Sequence, residues 1–112
     1  MPNSKAKTRV TPSSGNVFAD LGHPRAEEKQ TQVRLAGAIH QIIQERRLSQ
    51  TAAADLLGIS QPKISALVNY QLDGFSVERL LRFLNALGRD VEIVVRRIPK
   101  SRKPGRILVS AA

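Results

Sequence analysis

Apolar residues recur along the first half of the chain at the spacing of an amphipathic helix. From about Ala26 to Arg46 they fall three or four positions apart, which places them on one face of a helix. The apolar positions of this segment are Leu35, Ala36, Ile39, Ile42 and Ile43. Pro24 suits the first turn of such a helix, because no hydrogen bond is lost there. The pattern therefore predicts one long helix with a single buried stripe.

Three shorter helices are predicted further along the chain, each preceded by a serine. A serine in this position accepts a hydrogen bond from a free backbone N–H in the first turn of the helix. The serines and helices are Ser49 before 50–57, Ser60 before 61 to about 69, and Ser76 before a fourth helix. The fourth helix has the inward-facing residues Val77, Leu80, Leu81, Leu84 and Leu87, with Gly88 as its stop signal.

The hydrophobic period changes after the fourth helix. Residues 91–97 are rich in β-branched residues and predict one β-strand. Val91, Ile93 and Val95 share one face of this strand by the period of two, and they are expected to pack on the helical body. Val94 lies on the opposite face.

A lone strand needs a partner, because its backbone N–H and C=O groups are otherwise unpaired. One solution is pairing with the same strand of a second chain, so that Val91, Ile93, Val94 and Val95 form a dimer strand. The alternative is a hairpin with residues 106–109 of the same chain. The connection between them is long and cationic for a hairpin loop. The dimer is therefore the favoured expectation.

The run from Leu48 to Leu67 has the residue types of a helix-turn-helix at the required offsets. Ala54 is small enough for two steeply crossing helices to touch, and Gly58 supplies the positive φ of a tight turn. Ile64 and Leu67 are expected to anchor the second helix and to leave its other face free for a DNA groove. An ordinary helical hairpin is the alternative, but the combination of small, turn and apolar positions favours DNA binding.

The chain of 112 residues is expected to hold one domain, at residues 16–97, between two basic tails. Residues 1–15 are polar and predicted to be disordered, as are residues 98–112. The net charge is +9, and the excess lies wholly in residues 1–15 and 96–112, which contain no acidic residue. Basic arms can attract phosphate without sequence preference. The alternative is that they only keep the chain in solution. The sequence specificity of the folded core must then come from contacts in a DNA groove.

Several other kinds of protein are disfavoured by the composition. There is no cysteine, and His23 and His40 are far apart and unsupported, so we expect neither a metal site nor a cofactor. No serine, histidine and carboxylate combination indicates a catalytic site. No apolar run reaches the length of a membrane span, and residues 1–10 contain no apolar signal core. The expectation is a soluble, intracellular protein that is neither an enzyme nor bound to a membrane.

Residues 16–97 resemble the Cro/C1-type (XRE) helix-turn-helix family. The resemblance rests on the helix-turn-helix and on the segments NVFADLG at 16–22, ISQPKIS at 59–65, FSVERLL at 75–81 and GRDVEI at 88–93. It implies an all-α, lambda-repressor-like bundle of four to five helices, with a single C-terminal β-strand that pairs across a dimer.

The same segments resemble the small regulators grouped with HigA-type antitoxins. This implies a homodimer that binds double-stranded operator DNA, represses its own operon and neutralises a RelE-like mRNA-cleaving toxin. By position in the family, the resemblance implies that the base-contacting residues are Gln61, Pro62, Lys63, Ser65 and Ala66. It implies phosphate contacts from Gln50, Ser60 and Asn69. Gln61 is the strongest candidate, since a glutamine amide can pair bidentately with adenine.

Two other functions remain open at this point. One is a stand-alone or phage-type transcriptional regulator of the same family, without a toxin partner. The other is a protein-interaction module that binds its partner through residues 1–24 or 98–112. A gene for a small toxin next to this one would favour the antitoxin, and failure to bind its own promoter would favour the interaction module.

Overall fold

The computed structural model describes residues 24–102 and 104–111. It contains four α-helices: α1 at Pro24–Glu45, α2 at Gln50–Leu57, α3 at Gln61–Val68 and α4 at Val77–Ala86. No strand occurs in the described ranges. The all-α class is therefore confirmed. The predicted packing of residues 16–22, and the disorder predicted for 1–15, lie outside the described residues.

The described residues divide into two units. One unit comprises residues 31–96 together with 109–111, and it contains the hydrophobic core and the helix-turn-helix. The other comprises 24–30, 97–102 and 104–108, so that it takes in the first turns of α1 and most of the basic C-terminal segment. In this second unit the backbone N–H of Ile107 donates to Glu27 Oε2 at 3.2 Å.

The three serine caps form as predicted. Ser49 Oγ accepts from the N–H of Ala52 at 3.0 Å, and Ser76 Oγ accepts from that of Arg79 at 3.1 Å. Ser60 Oγ accepts from the N–H of Lys63 at a longer 3.4 Å. All three serines have extended backbone, as residues do immediately before a helix. Such caps typically contribute about 1 kcal/mol each to the stability of a helix.

The buried face of α1 is the predicted one: all five of its apolar positions lie in the core. The core also contains Ala54, Ile64 and Leu67 from the helix-turn-helix. In α4 the pattern is only partly as expected. Leu80, Leu84 and Leu87 are buried, whereas Val77 and Leu81 are only partly buried.

Phe83 is buried, with 5% of its surface exposed, although it is not one of the residues predicted to face inward. Its ring lies edge-on to that of Phe75, with the ring centroids 6.0 Å apart. A loop residue thus packs against α4 through this ring contact. Phe83 lies three positions after Leu80 and four before Leu87, so the helical period of α4 alone was sufficient to place it on the buried face.

The predicted strand is not formed within one chain. Residues 91–97 have neither helix nor paired strand, and residues 106–109 form no hairpin with them. The expectation that Val91, Ile93 and Val95 pack on the helical body is wrong, since Ile93 is 77% and Val95 92% exposed. The core is formed by helical side chains together with Leu72 and Phe75 of the loop before α4, and Val109 packs against it. An alternating pattern of apolar residues does not stabilise a strand that has no hydrogen-bonded neighbour.

Candidate nucleic-acid interface

Helices α2 and α3 form a helix-turn-helix through the three residues at 58–60. Gly58 has φ +70°, and its N–H contacts the carbonyl oxygens of Ala54 and Asp55, which ends α2. The N–H of Ile59 then donates to Ala54 O at 3.0 Å. Ala54 is only 3% exposed, so a larger side chain there would displace the neighbouring elements. The turn and the small residue thus hold α3 at a fixed position on α2.

One face of α3 is anchored and the other is free. Ile64 and Leu67 are fully buried, as predicted. On the opposite side the residues at the start of the helix, Gln61, Pro62 and Lys63, are exposed, and Ser65 and Ala66 are partly exposed. Four of the five residues expected to contact bases are therefore accessible on α3, whereas Ala66 packs partly against the core. Their base contacts remain a prediction.

Gln61 is hydrogen-bonded to a residue that the sequence analysis did not select. Its Nε2 donates to Thr51 Oγ1 at 2.5 Å, and both side chains are exposed. Gln61 is the first residue of α3, and Thr51 is the second residue of α2. The spacing of residues in the sequence could not predict this contact of Thr51, because the contact depends on how the two helices cross.

Pro62 lies in the first turn of α3, where the missing N–H costs no helical hydrogen bond. Its exposed ring offers apolar surface only. Any readout by Pro62 is thus limited to van der Waals contact, such as with a thymine methyl group.

Lys63 and a second cation lie over the same aromatic ring. Lys63 Nζ is 5.7 Å from the centroid of Phe75. The Arg79 guanidinium is 5.7 Å from this centroid and 5.6 Å from that of Phe83. These are cation–π distances. The rings thereby hold two positive charges close to the start of α3. Arg79 is thus a further candidate phosphate contact, which the sequence pattern did not predict.

The three predicted phosphate contacts lie at helix ends. Gln50 is the exposed first residue of α2, beside backbone N–H groups without intrahelical partners. Ser60 Oγ accepts the capping bond, which leaves its own O–H to donate. Asn69 is at the other end of α3, where its Nδ2 donates to Ser65 O at 2.9 Å. Their phosphate contacts stay a prediction.

The residue after Asn69 gives α3 a defined end. Tyr70 has φ +60°, a left-handed conformation that is uncommon for a residue with a side chain. Its ring stacks on His40 of α1, with the centroids 6.2 Å apart and the planes 13° apart. The Tyr70 N–H donates to Leu67 O at 3.1 Å. The stacked rings therefore connect the end of α3 to α1.

Within residues 24–102 and 104–111, no three histidine, aspartate or glutamate side chains are grouped so that they could hold a metal ion. No helix among these residues combines the length and the apolar character that crossing a membrane requires.

Comparison with known proteins agrees with this geometry. A family model described as a helix-turn-helix domain matches residues 17–96. A solved structure with the provisional name of an XRE family transcriptional regulator is 62% identical in sequence. The match covers 80% of this chain and 100% of that one, with a TM-score of 0.76. No curated protein matches the chain.

The fold, the accessible face of α3 and the family match together define the class as DNA-binding helix-turn-helix proteins. Within that class, the chain belongs to the XRE family of transcriptional regulators.

Proposed function

We propose that this regulator is a dimeric, sequence-specific repressor that reads its operator with α3. The observation that carries the proposal is the exposed start of α3, where the Gln61 amide is held by a bond to Thr51 of α2. Residues at the start of a recognition helix contact base edges in the major groove. Gln61 would pair with an adenine there.

The backbone of the DNA would be held from both sides of α3. Gln50 and Ser60 lie at the starts of α2 and α3, and Asn69 lies at the end of α3. Lys63 and Arg79 add positive charge beside the Phe75 ring. Phosphate contacts of this kind fix the register of the protein on the duplex and carry no direct sequence information.

The proposed dimer uses the exposed apolar segment after α4. Val91, Ile93, Val94 and Val95 are all exposed in the single chain. Pairing of residues 91–97 with the same residues of a second chain would satisfy the backbone of both segments in an isologous interface. It would also set two α3 helices relative to each other, ideally about 34 Å apart, as successive major grooves require.

We further propose that the regulator is the antitoxin of a type II toxin–antitoxin pair. In this role it would neutralise a RelE-like mRNA-cleaving toxin, repress the shared operon and act at the chromosome in the bacterial cytoplasm. The support is the sequence resemblance to HigA-type antitoxins. A stand-alone regulator of the same family would bind DNA equally well without a toxin.

The DNA-binding proposal is tested by selection of binding sites from random duplexes, followed by affinity measurements on the selected site. Gln61→Ala should lose about 1–3 kcal/mol on that site and relax the preference at one base pair per half-site. Gln50→Ala, in contrast, should weaken specific and non-specific DNA alike. The same sequence preference for parent and Gln61→Ala would contradict base reading by Gln61.

The antitoxin proposal needs a separate experiment. The chain is co-expressed and co-purified with the product of the neighbouring gene, and the complex is tested on their shared promoter and for mRNA cleavage. A stable complex in which cleavage is suppressed supports the antitoxin. Operator binding without any such complex supports the stand-alone regulator instead. Absence of binding to the promoter and to selected DNA favours an interaction module.

A further inference from the structure

Thr51 and Gln61 belong to different helices, and both helices are rigidly placed relative to each other. Ala54 is buried in the core, and Gly58 fixes the turn between the helices. The bond from Gln61 Nε2 to Thr51 Oγ1 therefore joins two side chains whose backbones do not need to move. Because both side chains are exposed, the bond is not required to satisfy a buried polar group.

The bond to Thr51 leaves the Gln61 amide with one donor and one acceptor for hydrogen bonds to a base. A glutamine amide has two N–H donors and one acceptor oxygen. Thr51 uses one of the donors. One N–H and Oε1 remain, and bidentate pairing with adenine requires one donor and one acceptor. Thr51 can therefore hold the amide without competing with the base.

Holding the amide also changes the affinity and the specificity of the contact. A free glutamine side chain has several rotamers, so its amide can point in several directions. A side chain that is already ordered loses less conformational entropy on binding. The Thr51 hydroxyl accepts the bond from Gln61, so its own O–H is left to donate to a nearby acceptor.

We infer that Thr51 is a positioning residue for Gln61, and that it sets the base preference of the recognition helix without contacting the base. The inference rests on the proposed function, since it assigns the means by which that site discriminates between sequences. A positioning residue acts only through its partner. The effect of a Thr51 substitution on DNA affinity must therefore disappear when Gln61 is replaced. If Thr51 had a structural role or contacted phosphate independently, the effect would persist.

The test is a double-mutant cycle on the full chain, with the probe a duplex obtained by selection with the parent protein. The variants are Thr51→Val, Gln61→Ala and the two combined. Valine keeps the shape of threonine and removes the acceptor. Each is measured on the selected duplex and on one in which the base pair read by Gln61 is exchanged.

We expect Thr51→Val to weaken binding to the selected duplex roughly five- to tenfold, and binding to the exchanged duplex much less. In the Gln61→Ala background the same substitution should have no further effect. Thr51→Ser retains the hydroxyl and should restore both affinity and preference. Thermal unfolding identifies any variant that fails to fold, and Thr51→Ala, which favours the helix, then replaces Thr51→Val.

Two results would overturn the inference. In one, Thr51→Val weakens all duplexes equally; in the other, its effect is unchanged in the Gln61→Ala background. Either would make Thr51 a phosphate contact or a structural residue, while the proposed function stands. A parent protein that selects no sequence from random duplexes overturns the proposed function itself, so the two failures are distinguishable.

Discussion

The side-chain amide of Gln32 in α1 donates a hydrogen bond to the carbonyl oxygen of Phe75 at 2.6 Å, across 43 positions of the chain. Phe75 lies in the loop before α4, and its ring has Lys63 on one side and Arg79 nearby. The bond is partly buried. A polar residue of α1 thus holds the loop that supports the positive charge next to the recognition helix.

We predict that Gln32→Met destabilises the protein by about 1–3 kcal/mol, because the partly buried Phe75 carbonyl loses its donor. Methionine keeps the length of the side chain. Gln41→Met is the matched control on the same helix, since Gln41 makes only an exposed bond with Glu45 at 3.3 Å. Denaturant unfolding measures both. Equal stability of the two variants would show that the Gln32 bond contributes nothing.

A pair of glycine substitutions should change stability in opposite directions. Gly58 has φ +70° and no atom within 4 Å of an added Cβ, so Gly58→Ala should cost about 1–2 kcal/mol through backbone strain alone. Gly37 lies inside α1, where an added Cβ meets only the Tyr70 hydroxyl at 3.8 Å. Gly37→Ala should therefore stabilise the protein by about 0.5–1 kcal/mol. Thermal unfolding tests both, and a stabilising Gly58→Ala would refute the role given to the turn.

Arg79 should contribute to the salt dependence of DNA binding. If its guanidinium contacts a phosphate, Arg79→Gln makes the fall of log affinity with log salt less steep, by about 1 in the magnitude of the slope. Arg82, one turn further along α4, forms an exposed ion pair with Glu78 at 3.3 Å and serves as the control. Arg82→Gln should change the slope less. The same slope for parent and Arg79→Gln would place Arg79 outside the interface.

The dimer proposal predicts that Val94→Pro weakens self-association and DNA binding together. Proline removes one backbone donor from any strand that residue 94 helps to pair. Val94→Thr keeps the donor and a β-branched side chain, and it should remain dimeric. Analytical sedimentation and operator affinity are measured for both variants. A Val94→Pro protein that stays folded, dimeric and able to bind its operator would move the interface elsewhere, with α4 the next candidate.

Local signals in the sequence were sufficient for most of the helical framework. Ser49, Ser60 and Ser76 each cap the predicted helix, because a cap depends on residues within one turn of each other. Gly58 adopts the positive φ that the turn requires. The spacing of apolar residues likewise identified the buried face of α1, since helical periodicity is a property of the segment itself.

The tertiary structure decided the features that depend on distant residues. The ring of Phe75 comes from a loop to lie edge-on to that of Phe83, and Thr51 meets Gln61 because α2 and α3 cross at that point. Residues 91–97 alternate as a strand does, yet they stay unpaired in the single chain. A pattern of side chains specifies which face a segment can bury. Whether that face is buried depends on the partner that the rest of the fold, or a second chain, supplies.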